Sequence, residues 1–265
     1  MTYTLITGAS SGIGEGFARR LAGDGHNLVL VSRSEDKLRE LCDQLSASHG
    51  IDARFLAIDL TSADADQRLF DETEGSGVQI DWLINNAGFG AMGDFADIEL
   101  DRQIEMIQLN VAALTALTHR FLVKMRERGS GTIINVSSTA SAQPIPFFAT
   151  YAATKAFVTS FTEAIAEENR PFGIRIFALC PGTTATGFFE ASGIEDPVAI
   201  KGVQTVDQVV ETALRAVKGT NSKAISGWVN FLVVFAVNFF PNWLITRLIA
   251  KPLRKRYQKK VEPPA

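Results

Sequence analysis

The feature that most narrows the fold is a glycine-rich turn set between two apolar runs of different period. Thr7-Gly-Ala-Ser-Ser-Gly-Ile-Gly14 follows Tyr3-Thr-Leu-Ile6, which reads as a short buried strand. It precedes residues 15–21, where Phe17, Ala18 and Leu21 mark one face of a helix. Gly8, Gly12 and Gly14 therefore stand in a strand-to-helix turn, with Ser10, Ser11 and Ile13 between them. Glycine allows a tight turn and the close approach of a diphosphate. Free N–H groups at the start of the helix favour its charge.

The same alternation continues along the chain. Strand-like runs fall at 28–31, 53–58, 82–84, 132–136 and 174–179. Helix-like stretches separate them, at 37–45, 64–74, 100–126 and from about Tyr151 to Asn169. In the first of these, Leu38, Leu41, Cys42 and Leu45 recur at helical spacing. Repeated β–α units predict an α/β fold: a Rossmann-type, doubly wound parallel sheet flanked by helices. Ligands of such sheets bind beyond the carboxyl ends of the strands. The expected catalytic domain is 1–225, with a hydrophobic helical and basic extension at 226–265.

Tyr151 and Lys155 are four residues apart, so a helix brings them to one face, thirteen residues after Ser138. A free phenol has a pKa of about 10 and transfers protons poorly near neutrality. A nearby ammonium is expected to lower that value. A serine hydroxyl could hold a carbonyl oxygen. The three groups together could protonate a ketone or deprotonate an alcohol.

These motifs, in this order, resemble the short-chain dehydrogenase/reductase family over about residues 3–190. The resemblance rests on Thr7-Gly8-x-x-x-Gly12-x-Gly14, Asp59-Leu60, Asn85-Asn-Ala-Gly88, Asn110, Ser138, Tyr151-x-x-x-Lys155 and Pro181-Gly182. It implies hydride transfer between a nicotinamide and a carbonyl or secondary alcohol, with Asn110, Ser138, Tyr151 and Lys155 as catalytic tetrad. It implies that Lys155 holds the nicotinamide ribose and that Asn110 anchors a water leading to solvent. Asp59 and Leu60 would contact the adenine, and Asn86, Ala87 and Gly88 would line the cofactor. Pro181, Gly182, Thr184 and Thr186 would flank the carboxamide, with Thr184 standing where an apolar residue is usual. The second strand ends in Ser32-Arg33 rather than in a carboxylate. A guanidinium fork suits a 2′-phosphate, so NADP(H) is expected ahead of NAD(H).

The formal net charge of the 265 residues is −3. Residues 247–265 carry +6 of it, leaving −9 for the rest. An acidic body argues against a nucleic-acid partner and draws attention to the tail. Two cysteines fit a reducing compartment, and the histidines and cysteines show no metal-ligand spacing. The first strand begins too near Met1 for a signal peptide, so a cytoplasmic protein is expected.

Gln143-Pro-Ile-Pro-Phe-Phe148 is expected to wall the substrate pocket, stiffened by Pro144 and Pro146. Residues 187–202, with Phe188, Phe189 and Ile194, are expected to cover it. Both stretches favour an apolar carbonyl substrate. The aromatic-rich run 228–240, then a helical turn or two at 243–250, then the basic 251–260, leaves three coverings open. These are protein packing (a second subunit or the cleft wall), peripheral contact with an anionic membrane, or a spanning helix. A homodimer or homotetramer is implied by the resemblance. The alternative function, a non-catalytic NADP sensor or scaffold on the same fold, would have no need of Tyr151 beside Ser138.

Overall fold

A computed structural model describes residues 1–188, 192 and 203–257. The strands are β1 (Thr2–Thr7), β2 (Asn27–Ser32), β3 (Ala53–Ala57), β4 (Gln79–Asn85), β5 (Gly131–Val136), β6 (Ile174–Cys180) and β7 (Lys223–Ile225). The helices are α1 (Gly12–Gly23), α2 (Glu35–His49), α3 (Ala65–Asp71), α4 (Leu100–Ile107), α5 (Leu114–Arg128), α6 (Ala149–Asn169), α7 (Val206–Val217), α8 (Trp228–Val237) and α9 (Asn242–Tyr257).

The strands form one parallel sheet in the order β3-β2-β1-β4-β5-β6-β7. The chain runs outward from β1 to β3, then returns to β4 and runs the other way. The direction of winding thus reverses between β1 and β4, where a crevice opens at the strands' carboxyl ends.

Side chains alternate between the two faces of the sheet, as a period of two requires. Leu28, Leu30, Phe177 and Leu179 pack under α1, α2 and α7. Leu5, Val29, Ile133 and Ile176 pack under α3 and α5, against Leu69, Leu117, Phe121 and Met125. Both faces are therefore buried, which is why the strands read as nearly continuous apolar runs. The stretch Leu100–Arg128 is apolar and long enough to cross a bilayer by length and composition. Its Met106, Leu114, Leu117, Phe121 and Met125 are instead buried in the protein core.

The first glycines are needed for backbone reasons. Gly8 and Gly12 have φ of 66° and 58°, a region that residues with a Cβ rarely adopt. Gly14 has ordinary φ, but a Cβ there would run into the Gly8 carbonyl oxygen and stand 2.6 Å from Asn86 Nδ2. Gly23, at the far end of the same helix, has nothing nearer than His49 Cε1 at 3.9 Å. Alanine should therefore act with opposite sign at the two ends of α1. Gly14→Ala should destabilise by about 1–3 kcal/mol and weaken dinucleotide binding, since the helix start must move. Gly23→Ala should stabilise by about 0.5–1 kcal/mol through helix propensity alone. Urea unfolding of both variants measures the difference, and equal effects would refute the packing argument.

Two features of the carboxyl-terminal half differ from the sequence expectation. α7 and β7 add a helix and an edge strand that the alternation pattern does not announce. The expected helix at 243–250 also continues past Pro252 to Tyr257, so the basic residues 251, 254, 255 and 256 are helical. α8 packs on β7 and on the short 3₁₀ segment Thr139–Ala142.

Candidate active site

The crevice at the sheet reversal is a cleft of about 1000 Å³. Its first wall is the glycine turn. Asn86 fastens this turn to the end of β4: its amide nitrogen donates to the carbonyl oxygens of Thr7 at 2.9 Å and Gly8 at 3.2 Å. The Thr7 hydroxyl accepts from the backbone N–H groups of Asn86 and Ala87, at 2.9 and 3.0 Å. Ser11 at the start of α1 makes no capping hydrogen bond with its side chain, so no side chain competes for the helix's first N–H groups. That arrangement fits a diphosphate.

Gly8, Ser10, Ser11, Gly12, Ile13, Ser32, Arg33, Asp59, Leu60, Asn86, Ala87, Gly88, Pro181, Gly182, Thr184 and Thr186 all line the cleft. Gly14 does not; it serves the close packing of α1 on the turn. At the outer rim, Arg33 is 66% exposed and lies 3.6 Å from Glu105. Lys37, in the first turn of α2, lines the same rim and is not among the residues expected there from the sequence. Its spacing from Arg33 on a helix start was the available signal. Burial pushes the Asp59 carboxyl up. Hydrogen bonds from the Thr61 N–H and hydroxyl, aided by Arg33, outweigh it and leave the pKa low.

Opposite the turn, Thr186 places its methyl group 3.2 Å from where a Cβ on Gly12 would stand. Thr184, the departure from the family pattern, turns its hydroxyl back onto the Gly182 carbonyl oxygen at 3.0 Å. The extra hydroxyl is thus satisfied internally. Gly182 is pressed by the Asn230 side chain, which donates to the Ser226 carbonyl oxygen at 2.7 Å. The polar residue that interrupts the apolar run of α8 is the pin that seats that helix over the Pro181-Gly182 loop.

α6 carries Tyr151 and Lys155 into the inner end of the cleft, and both are buried, at 7% and 4% exposure. Ser138 lies near enough to the Tyr151 phenol to oppose the rise of its pKa. Phe148 stacks on the tyrosine ring at 4.3 Å between centroids, and Phe188 stands at 5.4 Å. The Lys155 ammonium donates to the Val136 carbonyl oxygen at 2.9 Å and lies 5.7 Å from the phenol ring centroid.

The electrostatics correct one expectation. Burial pushes the Tyr151 phenol up to about 12, with Ser138 opposing, while burial drives Lys155 down to about 8. Desolvation of both groups outweighs the attraction expected between phenolate and ammonium. The resting site therefore holds a protonated tyrosine, the form that can give a proton.

Asn110 is fully buried and does not line the cleft. It sits in a π-helical segment, Gln108–Ala113, between α4 and α5. Its amide bonds both the N–H and the carbonyl of Phe89, at 3.2 and 2.9 Å, and the Thr154 hydroxyl at 3.1 Å. Gly88 lies between it and the lysine: a Cβ there would be 2.9 Å from Asn110 Oδ1 and 3.4 Å from Lys155 Nζ. The π-bulge thus turns the asparagine toward the rear of the site.

The remaining wall is largely apolar. Ile145 and Phe148 line it as expected, with Met92 and Phe89. Pro144, Pro146 and Phe147 do not line it. The amide oxygen of Gln143, on the same wall, is buried without a hydrogen bond. Phe189 and Ile194 lie outside the described residues. α9 supplies Ile249, Pro252, Leu253 and Tyr257. Ile249 falls in the helix expected at 243–250, for which the cleft wall is one of the coverings left open; Pro252, Leu253 and Tyr257 fall in the stretch expected only as a basic run.

Comparison with known proteins agrees with this geometry. The short chain dehydrogenase family model matches residues 2–196. The very-long-chain 3-oxoacyl-CoA reductase of Rattus norvegicus is 32% identical over 98% of this chain and 83% of its own length. The 7beta-hydroxysteroid dehydrogenase of Mediterraneibacter gnavus is 30% identical over 85% of this chain and 86% of its own. The structure of a short-chain dehydrogenase from Sphingobium yanoikuyae in complex with NADPH superposes with a TM-score of 0.83 at 29% identity, covering 100% of this chain and 99% of that one. A glycine turn at a helix start, a buried Tyr151–Lys155 pair beside Ser138 and a family match over residues 2–196 lead to one assignment: the chain belongs to the short-chain dehydrogenase family.

Proposed function

We propose that the protein reduces the carbonyl group of an apolar substrate, or oxidises the matching secondary alcohol, using NADP(H). It is an oxidoreductase of the short-chain dehydrogenase/reductase type, and a non-catalytic sensor finds no support in its relatives. NADP(H) supplies or accepts the hydride. The chain's own residues bind, orient and move the proton.

In reduction, Tyr151 gives its phenolic proton to the carbonyl oxygen, and the Ser138 hydroxyl holds that oxygen as charge develops. Lys155 holds the ribose and the proton path. Asn110 anchors that path from behind. Arg33 and Lys37 hold the 2′-phosphate at the rim, and the glycine turn holds the diphosphate. The observation that carries this reading is the buried Tyr151 ring at the inner end of the cleft, stacked on Phe148, with Ser138 and Lys155 lining the same end.

The apolar wall favours a bulky, water-poor ketone over a sugar. The names of two relatives, a very-long-chain 3-oxoacyl-CoA reductase and a hydroxysteroid dehydrogenase, support that choice. Residues 1–225 are the catalytic body. Residues 226–265 are its carboxyl-terminal extension, in which α9 lines the cleft with Ile249, Leu253 and Tyr257 and suits a membrane periphery. A cytoplasmic homo-oligomer fits the rest of the chain.

The test is a panel of ketones of increasing chain length and ring number, assayed by loss of NADPH absorbance. Rates should rise with apolar size, and NADPH should outperform NADH. No ketone-dependent loss with either cofactor would overturn the reading.

A further inference from the structure

We infer that α8 and α9 seat the mouth of the cleft on an anionic lipid surface, so that a lipophilic substrate enters from the bilayer. The inference rests on the proposed apolar substrate only for what enters; the docking itself stands on the surface of the two helices.

The outer side of α8 is apolar and uncovered. Trp228 is 76% exposed, Phe231, Leu232 and Phe235 more than half, and Phe239, in the turn that follows, 70%. This exceeds the scattered apolar side chains of an ordinary soluble surface. α8 has ten residues, about 15 Å of helix against a hydrocarbon core of roughly 30 Å, so it can lie in an interface but not cross one.

α9 has two unlike faces. Ile249, Leu253 and Tyr257 recur every four residues and line the cleft, while Ile245 and Ala250 are buried against the body. The other face bears Trp243, Arg247, Lys251, Arg254 and Lys255, all exposed. Arg247 lies 5.3 Å over the Trp243 ring. Arg247, Lys251, Arg254 and Lys255 form no ion pair among the described residues. Four uncompensated cations beside an aromatic apolar face are complementary to anionic headgroups over acyl chains. They are a poor match to a second copy of a chain whose like face carries the same charges.

The cleft and this surface share α9, with its lipid side and its substrate side on one helix. At its end, Tyr257 lies 6.0 Å from the ring of Phe147. Phe147 has a φ of 64°, an outlier for an aromatic residue and the kind of local strain that gathers at functional sites. The pair joins the tail to the substrate loop at the mouth. A lipid surface against α8 and α9 therefore lies next to the opening between them.

The test uses the full chain with NADPH. Co-sedimentation is measured with phosphatidylcholine vesicles with and without phosphatidylglycerol, at low and high salt. Binding to the anionic vesicles, weakened by salt, is expected. Lys251→Gln with Lys255→Gln should lower the partition coefficient about thirtyfold, from roughly 1 kcal/mol per cation. Trp243→Ser with Leu248→Ser should lower it at least about tenfold. All four residues are exposed, so unfolding midpoints should not move. Binding that ignores charge and both double variants overturns the inference, as does no binding. So does a dimer in solution that the same variants abolish without any vesicle binding. A second arm separates this inference from the proposed reaction. Anionic vesicles should speed NADPH consumption with a vesicle-dissolved ketone in the wild type but not in the lysine variant, and should leave a short water-soluble ketone unaffected. No turnover with any ketone sinks the reaction alone, and sedimentation still decides the docking.

Discussion

Tyr151→Phe should lower carbonyl reduction at least about a hundredfold while leaving NADPH affinity nearly unchanged. The substitution removes one oxygen and keeps the ring stacked on Phe148 at 4.3 Å. What is lost is the acid proposed to face the carbonyl oxygen, and general acids contribute on the order of 10²–10⁴ in rate. Ser138 keeps its hydrogen bond from the Ala140 N–H at 3.1 Å, so the loop around it should hold its shape. Single-turnover reduction at saturating NADPH isolates the chemical step. A rate within tenfold of the wild type would remove Tyr151 from the mechanism.

The two buried groups also assign the pH dependence. A phenol pushed up to about 12 does not titrate between pH 7 and 9. The lysine, pushed down to about 8, does. Reductive kcat/KM should therefore fall as the pH rises through about 8, because the ammonium proposed to hold the proton path is lost while the phenol keeps its proton. A flat profile to pH 10 would mean that Lys155 stays charged in the working complex.

The parts of this molecule that could be read from its sequence are those fixed by local pattern. The glycine turn, the Tyr-x-x-x-Lys spacing and the β–α alternation each depend on neighbours in the chain, and the structure has each of them in the expected order, with element ends differing by up to about four residues. What could not be read depends on contacts distant in sequence. The sign of the Tyr151 shift is set by burial under Phe148 and the loop after β4, not by the lysine four residues away. Gly14 carries a glycine for a packing reason visible only once Asn86 is placed against the turn. The continuation of α9 past Pro252 runs against the local penalty of a proline and brings Tyr257 to within 6.0 Å of the Phe147 ring, a neighbour distant in sequence. Asn230 breaks an apolar pattern on paper and is a docking pin in space.

The cofactor rim carries the other large effect. Arg33→Asp should shift preference from NADPH toward NADH by about 1.5–3 kcal/mol, or roughly 10–150-fold in the ratio of kcat/KM values. The wild-type rim has two cations, Arg33 and Lys37, and its nearby carboxylates are already engaged. Asp59 is held by Thr61, at 2.9 and 2.7 Å, and Glu105 is shared between Arg33 at 3.6 Å and Arg102 at 3.0 Å. A phosphate dianion arriving there displaces a loose ion pair rather than a buried one, because the Arg33 side chain is 66% exposed. An aspartate at the same place removes a phosphate partner, adds a third carboxylate and offers acceptors to the free ribose hydroxyls. Loss for NADPH and gain for NADH then add in the ratio. Lys37→Ala separates the two contributions. It should weaken NADPH by less than Arg33→Asp and leave NADH unchanged, since it removes charge without supplying an acceptor. A wild type that prefers NADH, or an Arg33→Asp ratio within threefold of the wild type, would place the 2′-phosphate away from this rim.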